Sequence, residues 1–505
     1  MEPMTGKSEM TEMIDQIQKQ LKQGFRYFPL YAELPVPLSP TGEIFKQFAT
    51  ARSGRAAFLF SRGEQTTAQS HILGIDPFEK ILIRSGKVEI EIPGAGTRRL
   101  EGPPLTALNR HLEKFRSQRL PDLPLFQGGA FGYFTYDFVR HLEPRLKRSG
   151  YFAGLERQEG VLDAEIMLFK KLILLDQPSM RGFAVRGMVF ESEEPSADEI
   201  RREITAARSE LEDLQREFFQ AVERLPKFNP PKNLPTDEIH LEDLRPELGR
   251  ERYLSCVVRL KEQIRAGEIF QAVLSDRFRF DLSASPHDVF AALNRVSPAP
   301  YQFHIQFGAD NGASGDFGAD TGASRHLLGA SPETLLRVEN GQLETHPIAG
   351  TRPRGVGEQD DRRLASQLRR SVKENAEHLM LVDLARNDLG QVAVPGTVRV
   401  PDFCKLIRFS AVMHLVSRVT GRLRPDRSPL DAFGACFPAG TLSGAPKIRA
   451  MELLSELENV PRGFYGGAVI ALSFAGDLDS CITIRALEIR EGQAVLQAGG
   501  GIVAD

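Results

Sequence analysis

The stretch from Phe25 to about Phe190 limits the fold more than any other part of the chain. β-Branched and aromatic runs there are cut repeatedly by glycine and proline. RAAFLFSR, SHILGI, KILIRSGKVEIEI, GGAFGYFTYDFV and EIMLFKKLILLD read as short strands joined by turns. A charged amphipathic helix follows over 191–226, with apolar positions near i, i+3, i+4 and i+7. FNPPKNLPTDE then carries three prolines and little apolar periodicity, which places a linker at 228–240. Helices and strands mix again from 241 to 505. Residues 1–24 read as a polar, frayed helix, so the expected organisation is a β-rich N-terminal domain over 25–227 and a second domain over 241–505.

At 505 residues the chain has room for about two or three domains. Sixty-four Lys and Arg against 67 Asp and Glu leave a formal charge of −3, which gives no pull toward nucleic acid or an anionic membrane. Cys256, Cys404, Cys436 and Cys481 show no CxxC spacing and read as the reduced thiols of a cytoplasmic protein. The N-terminus has no apolar core of a signal peptide, and no run approaches the ~20 apolar residues of a membrane span. GADNGAS at 308–314 returns as GADTGAS at 318–324, a Gly, Ala and Asp-rich insertion expected to extend a hairpin.

The segment from His346 to Gly390 carries the chemistry. HPIAGTRPRG is a strand-like run broken at Gly350-Thr351 and closed by two arginines, whose planar forks match carboxylates. In KENAEHLMLVDLARNDLG, Glu374 and Glu377 share one helix face, a hard-oxygen pair suited to Mg²⁺. The same spacing also describes an ordinary solvated helix. Glu333, in SPETLL, sits where a turn enters a strand and is a candidate general acid or a capping carboxylate. His414, in RFSAVMHLVSRVTG, is a candidate catalytic histidine or a satisfied core residue. GTLSGAPKIRAMELL feeds a helix whose free N–H groups form an anion site or an ordinary start. Arg485 alternates with apolar neighbours, as in a half-buried strand, and needs an acidic partner or a bound carboxylate. Gly499-Gly500-Gly501 offers backbone N–H groups to an anion, or marks a bulge. Walker A, GxGxxG, GxSxG and HExxH signatures do not occur.

GEIFQAVLSDRF, SPETLL, HPIAGTRPRG, KENAEHLMLVDLARNDLG, RFSAVMHLVSRVTG, GTLSGAPKIRAMELL, YGGAV, DLDSCITIRA and QAGGGIVAD together resemble the chorismate-utilising enzymes. Within them the chain is most similar to the large component of anthranilate synthases, closely over 245–505 and more weakly over 25–190. The resemblance implies an α+β fold of two facing, mostly antiparallel β-sheets flanked by helices. It implies amination of chorismate and loss of pyruvate to give anthranilate, with ammonia from a separate glutamine amidotransferase subunit. It assigns Mg²⁺ to Glu377 with Glu374 nearby, and substrate contacts to Gly350, Thr351, Tyr465, Arg485, Gly499, Gly500 and Gly501. Glu333 is implied as general acid, His414 as the group assisting pyruvate loss, and Thr441 as a further catalytic residue.

Ala349 stands where 4-amino-4-deoxychorismate synthases commonly carry lysine, which favours the anthranilate reaction over that alternative. A third reading is a catalytically impaired binding subunit. It draws on the end of the chain at Asp505, directly after QAGGGIVAD, where the family continues into a helix bearing another metal-site glutamate and a lysine. An apparently truncated chain with an incomplete Mg²⁺ site, and slow turnover, is therefore expected. The family's inhibitory tryptophan site maps onto Ser61, Pro300, Tyr301 and Gln302. Phe60 replaces a glutamate and Gln302 a methionine, which implies weak inhibition.

Overall fold

The computed structural model describes residues 8–37, 41–51, 56–63, 69–124, 126–225, 244–309, 324–409 and 412–504. Its framework is two large sheets of 12 strands each, with neighbouring strands antiparallel. Both sheets draw strands from both segments of the chain. In the first, Ala57–Arg62 pairs with Tyr301–Ala309; in the second, Gly129–Phe134 pairs with Ala468–Ser473. The segments 25–227 and 241–505 thus share both sheets, while the linker at 228–240 lies outside the described residues, as does most of the 308–324 insertion. Tyr301–Ala309 and Ser324–Ser331, on either side of that insertion, do pair as a hairpin. The expected α+β class with two facing antiparallel sheets is the observed one.

The main core forms between the sheets. Phe58 and Phe60 of the first sheet meet Phe131 of the second, and the Phe58 and Phe131 rings stack at 3.6 Å. The outer face of the first sheet is covered by the long helix Ala197–Glu223, begun by Ser196, whose hydroxyl accepts the Glu199 N–H. The N-terminal helix Ser8–Leu21 is less polar in effect than its composition suggests. Ile14, Ile17 and Leu21 fall on one face and are buried against Ile200 and Ile204 of the long helix. Among the described residues no helix is long and apolar enough to cross a membrane, and all four cysteines are free thiols.

One ion cluster ties the sheets through the core. Arg325, 1% exposed, leaves the first sheet to reach Glu165 and the Tyr133 hydroxyl of the second, and Glu488 at 3.0 Å. Lys80 meets Glu165 from the other side at 2.7 Å. Arg325→Met is expected to cost about 3–5 kcal/mol, because it removes the buried cation that Glu165 and Glu488 share rather than merely deleting a contact. A urea titration of parent and variant checks this by the shift in midpoint.

Candidate active site

The candidate residues come from the strands Ile348–Pro353 and Val412–Arg422 at one edge of the second sheet, and from Gln271–Asp281 and Gln493–Ile502 toward one end of the first. Others come from the helix Val372–Gly390 and from the segments that lead into two interior strands, where Glu333 and Arg485 lie. The strand Ile348–Pro353 lies at the edge of the second sheet, paired with Val412–Arg422. The register slips between Ala349 and Thr351, at Gly350. Gly350 has φ +66°, which glycine adopts freely. A side-chain carbon there would lie 3.1 Å from a Glu374 carboxylate oxygen and 2.9 Å from a Leu368 methyl, so glycine also leaves the approach open.

His414 faces this opening. Met413 and Leu415 are buried on one side of its strand, and His414 takes the other, half-buried side. It is therefore not the satisfied core histidine that its apolar run permits. Its Nδ1 lies 3.0 Å from the Gly350 carbonyl oxygen and 3.1 Å from the Thr351 hydroxyl. With the Nδ1 proton donated there, Nε2 is the free, basic nitrogen. Burial lowers its pKa, outweighing the hydrogen bond to Gly350, and the Arg485 charge lowers it further. Arg485 is therefore close enough for its charge to be felt at His414.

Arg485 is not in a strand. It occupies an exposed bend just before the strand Ala486–Arg490, with φ +49°, so the alternation of its neighbours misplaces it. The bend turns its guanidinium to the Ser297 hydroxyl at 3.2 Å, and among the described residues no carboxylate pairs with it. Surrounding protein pushes its pKa down, so an anion there would be welcome.

Glu333 is buried where a turn enters the strand Thr334–Glu339, and it caps no helix. The Thr441 hydroxyl, in the short helix Gly440–Ser443, donates to its Oε1 at 2.9 Å. Burial pushes its pKa up to about 8, with the Thr441 bond opposing. It is a carboxylic acid at neutral pH, as a general acid must be.

Ser371 caps the helix Val372–Gly390, its hydroxyl accepting the Glu374 N–H. Glu374 is taken up by Arg352 at 3.1 Å. Glu377 has no cationic partner within ion-pair distance among the described residues; its pKa is raised by burial and by the Glu374 charge. The Gln271 amide nitrogen donates to it at 3.1 Å, and the Gln271 carbonyl oxygen is buried without a hydrogen-bond partner. Gln271 stands in the motif GEIFQAVLSDRF but drew no role from sequence; the only signal was a polar side chain opening an apolar strand. An unneutralised carboxylate beside an unsatisfied amide oxygen is the donor set a hard divalent cation takes. Among the described residues no group of three or more His, Cys, Asp or Glu is arranged to hold a metal.

Gly499, Gly500 and Gly501 belong to the strand Gln493–Ile502 and run past the end of the neighbouring strand Ala486–Arg490, which leaves their outer edge unpaired by it. A side-chain carbon on Gly499 would come within 2.8 Å of the Tyr465 hydroxyl, and one on Gly501 within 2.9 Å of the Gln271 amide. The glycines thus clear space beside Tyr465 and Glu377 at once. The GTLSGAPK loop enters the helix Lys447–Glu458 through Pro446 with no side-chain cap, which leaves its first N–H groups uncapped.

Of the proposed tryptophan site, Ser61, Tyr301 and Gln302 lie on adjacent strands, with Ser61 opposite Gln302, and Pro300 immediately precedes the second strand. Two of them approach the main site: the Tyr301 hydroxyl accepts from Thr334, the neighbour of Glu333, at 3.1 Å, and Pro300 lines a cavity with Pro332, Thr334 and Ile348. Ser61 is engaged with His71 at 2.7 Å, and Phe60 lines a cavity of about 310 Å³ between the sheets. Asp479, on the same cavity, already pairs with Arg62 and Arg337.

The model of chorismate-binding enzymes matches residues 55–505. Anthranilate synthase component 1 of Acetivibrio thermocellus is 37% identical over 485 residues, covering 94% of this chain and 90% of the relative. The component 1 of Pseudomonas aeruginosa is 37% identical over 481 residues, covering 95% and 90%. The crystal structure of anthranilate synthase component I from Streptococcus pneumoniae superposes with a TM-score of 0.66 at 30% identity, over 87% of this chain and 88% of that one. The isochorismate synthase MenF of Escherichia coli, at 16% identity and a TM-score of 0.63 over 98% and 94%, shares the fold. The chain belongs to the chorismate-binding enzyme family.

Proposed function

We propose that this protein converts chorismate and ammonia to anthranilate and pyruvate, the first step committed to tryptophan, in the cytoplasm. Glu333 carries the reading: a buried carboxyl, neutral at pH 7 and held by Thr441, in a site that also holds Arg485 and Glu377, neither with an ion-pair partner among the described residues. The relatives with that printed activity are 37% identical over nearly the whole chain.

In this reading Arg485, Tyr465, Thr351 and the Gly499–Gly501 edge grip the two substrate carboxylates. Glu333 gives its proton to the departing hydroxyl as the C–O bond breaks. His414, neutral and oriented through Nδ1, assists pyruvate loss at Nε2. Glu377, with Glu374 and Gln271 beside it, would hold Mg²⁺. Bound there, the ion supplies positive charge to the ring carboxylate. The relatives are named component 1, which supports a second component, a glutamine amidotransferase, as the ammonia source. Ala349 places no cation beside the ring, which supports completion to anthranilate over release of an aminated intermediate.

Incubation with chorismate, Mg²⁺ and an ammonium salt tests the reading. Anthranilate fluorescence with matching pyruvate is expected. A product that becomes fluorescent or aromatic only after a separate lyase is added would overturn it.

Tryptophan is expected to inhibit weakly. Phe60 offers no carboxylate to the ligand's ammonium, and Asp479 already faces two arginines. Low-micromolar inhibition in a tryptophan titration would contradict this.

A further inference from the structure

A general acid must recover its proton in every turnover, and Glu333 has little access to solvent: the residue is 8% exposed and its Oε1 is occupied by Thr441. Behind it lies a cavity of about 40 Å³, lined by Glu333, Thr441, Leu384, Ala385, Cys436 and Asp388. A water needs roughly 10–15 Å³ of such volume and two or more polar partners, so about three or four fit at most. The two carboxyl groups and the Thr441 hydroxyl provide the partners; the other walls are largely apolar. At the far end, Lys447 donates to Asp388 at 2.8 Å and to the Cys436 carbonyl at 3.4 Å.

We infer that Asp388 and Lys447 return the proton to Glu333 through water held in this cavity. The inference rests on Glu333 being the general acid of the proposed reaction. When the substrate C–O bond breaks, its electron pair stays on oxygen and the Glu333 proton completes a water molecule, leaving a carboxylate. The Lys447 ammonium passes a proton to Asp388, forming a neutral pair. Asp388 passes it to the cavity water, and that water delivers one to Glu333. Lys447, at the edge of the buried region, regains its proton from solvent. The ammonia nitrogen sheds one proton after it bonds to carbon, so the cycle closes without a net change.

The groups facing Asp388 suit this shuttle. Burial raises its pKa and brings the neutral carboxyl within reach, while Lys447 and the Asn387 side chain oppose that shift. The Cys436 thiol is pushed up by burial and by the Asp388 charge, so it stays neutral and does not compete for the proton. Asp388 lies in LVDLARNDLG and Lys447 in GAPKIRAMELL, two motifs that sequence reading left without a role for either residue.

Asp388→Asn is expected to lower kcat roughly ten- to hundredfold with KM for chorismate within about twofold. Formate or acetate in the buffer should restore part of the loss, and the solvent deuterium isotope effect on kcat should rise. Ala385→Val narrows the cavity without touching a charged group; it should lower kcat in the same sense without rescue by small acids. It also decides the matter if Asp388→Asn fails to fold. A parent-like kcat and isotope effect in the folded variants would overturn the relay, as would an Asp388→Asn loss that no small acid restores. Glu333→Gln, assayed in parallel, separates the two levels. A parent-like Glu333→Gln removes the general acid itself, whereas an inactive Glu333→Gln beside a parent-like Asp388→Asn removes only the relay.

Discussion

Glu333→Gln is expected to lower kcat for ammonia-dependent anthranilate formation by about 10²–10⁴-fold, the usual contribution of a positioned acid. Glutamine keeps the shape and accepts the Thr441 hydrogen bond, but has no proton of useful acidity to give. The pH dependence follows from burial. A carboxyl with a pKa near 8 is protonated at neutral pH, so the parent's kcat should fall as pH rises through about 8. His414, lowered from its ordinary value, is neutral at pH 7 and should set an acid limb below that value. Stability obeys a related rule. The folded pKa of Glu333 lies above the unfolded one, so its contribution is fully present below about 4.5 and is lost as pH rises through about 8. Glutamine stays neutral, and Glu333→Gln should therefore lose less stability than the parent between pH 6 and 9. Steady-state rates and urea midpoints across that range check both halves. A variant with the parent's kcat would remove Glu333 from the chemistry.

The elements of the site were more legible than its shape. The strands and the helix Val372–Gly390 followed from composition and period, and the glycine at 350 from its place in HPIAGTRPRG. Period alone could not tell which side of the 412–422 strand faces the cleft. His414 alternates with Met413 and Leu415, and only the pairing with Ile348–Pro353 turns it toward Gly350. Arg485 misled for the same reason: residues around it alternate as in a strand, but a positive φ makes a bend that no binary pattern encodes. Strand partners were hidden as well. Phe60 pairs with Phe303 and Phe134 with Ala468, hundreds of residues apart. A period of two assigns faces and leaves neighbours open. The acidity of Glu333 and the pairing of Asp388 with Lys447 depend on what surrounds them in space, so neither had a local signal.

Arg485→Ala is expected to cost about 2–5 kcal/mol in kcat/KM, the loss when one partner of a desolvated, hydrogen-bonded charge pair is removed. The magnitude rests on how little else holds this side chain. Its described hydrogen bond is to one neutral hydroxyl, Ser297 at 3.2 Å, and protein crowding already disfavours its charge. A free arginine in that setting is not an internal brace, so little stability should be lost with it. Its charge becomes useful when a carboxylate arrives and closes the cleft to water, since the same attraction strengthens as the local dielectric falls. Arg485→Lys should recover only part of the loss, because a point charge cannot reproduce a two-pronged grip. The loss should appear mainly in KM if Arg485 binds substrate and transition state alike, and in kcat if it holds the ring against Glu333. A urea midpoint close to the parent's, together with the loss in kcat/KM, is the expected pair of results. An unchanged kcat/KM would mean that the substrate carboxylates are held elsewhere, with the exposed Gly499–Gly501 edge and the cationic ends of Arg352 and Arg354 the places to look next.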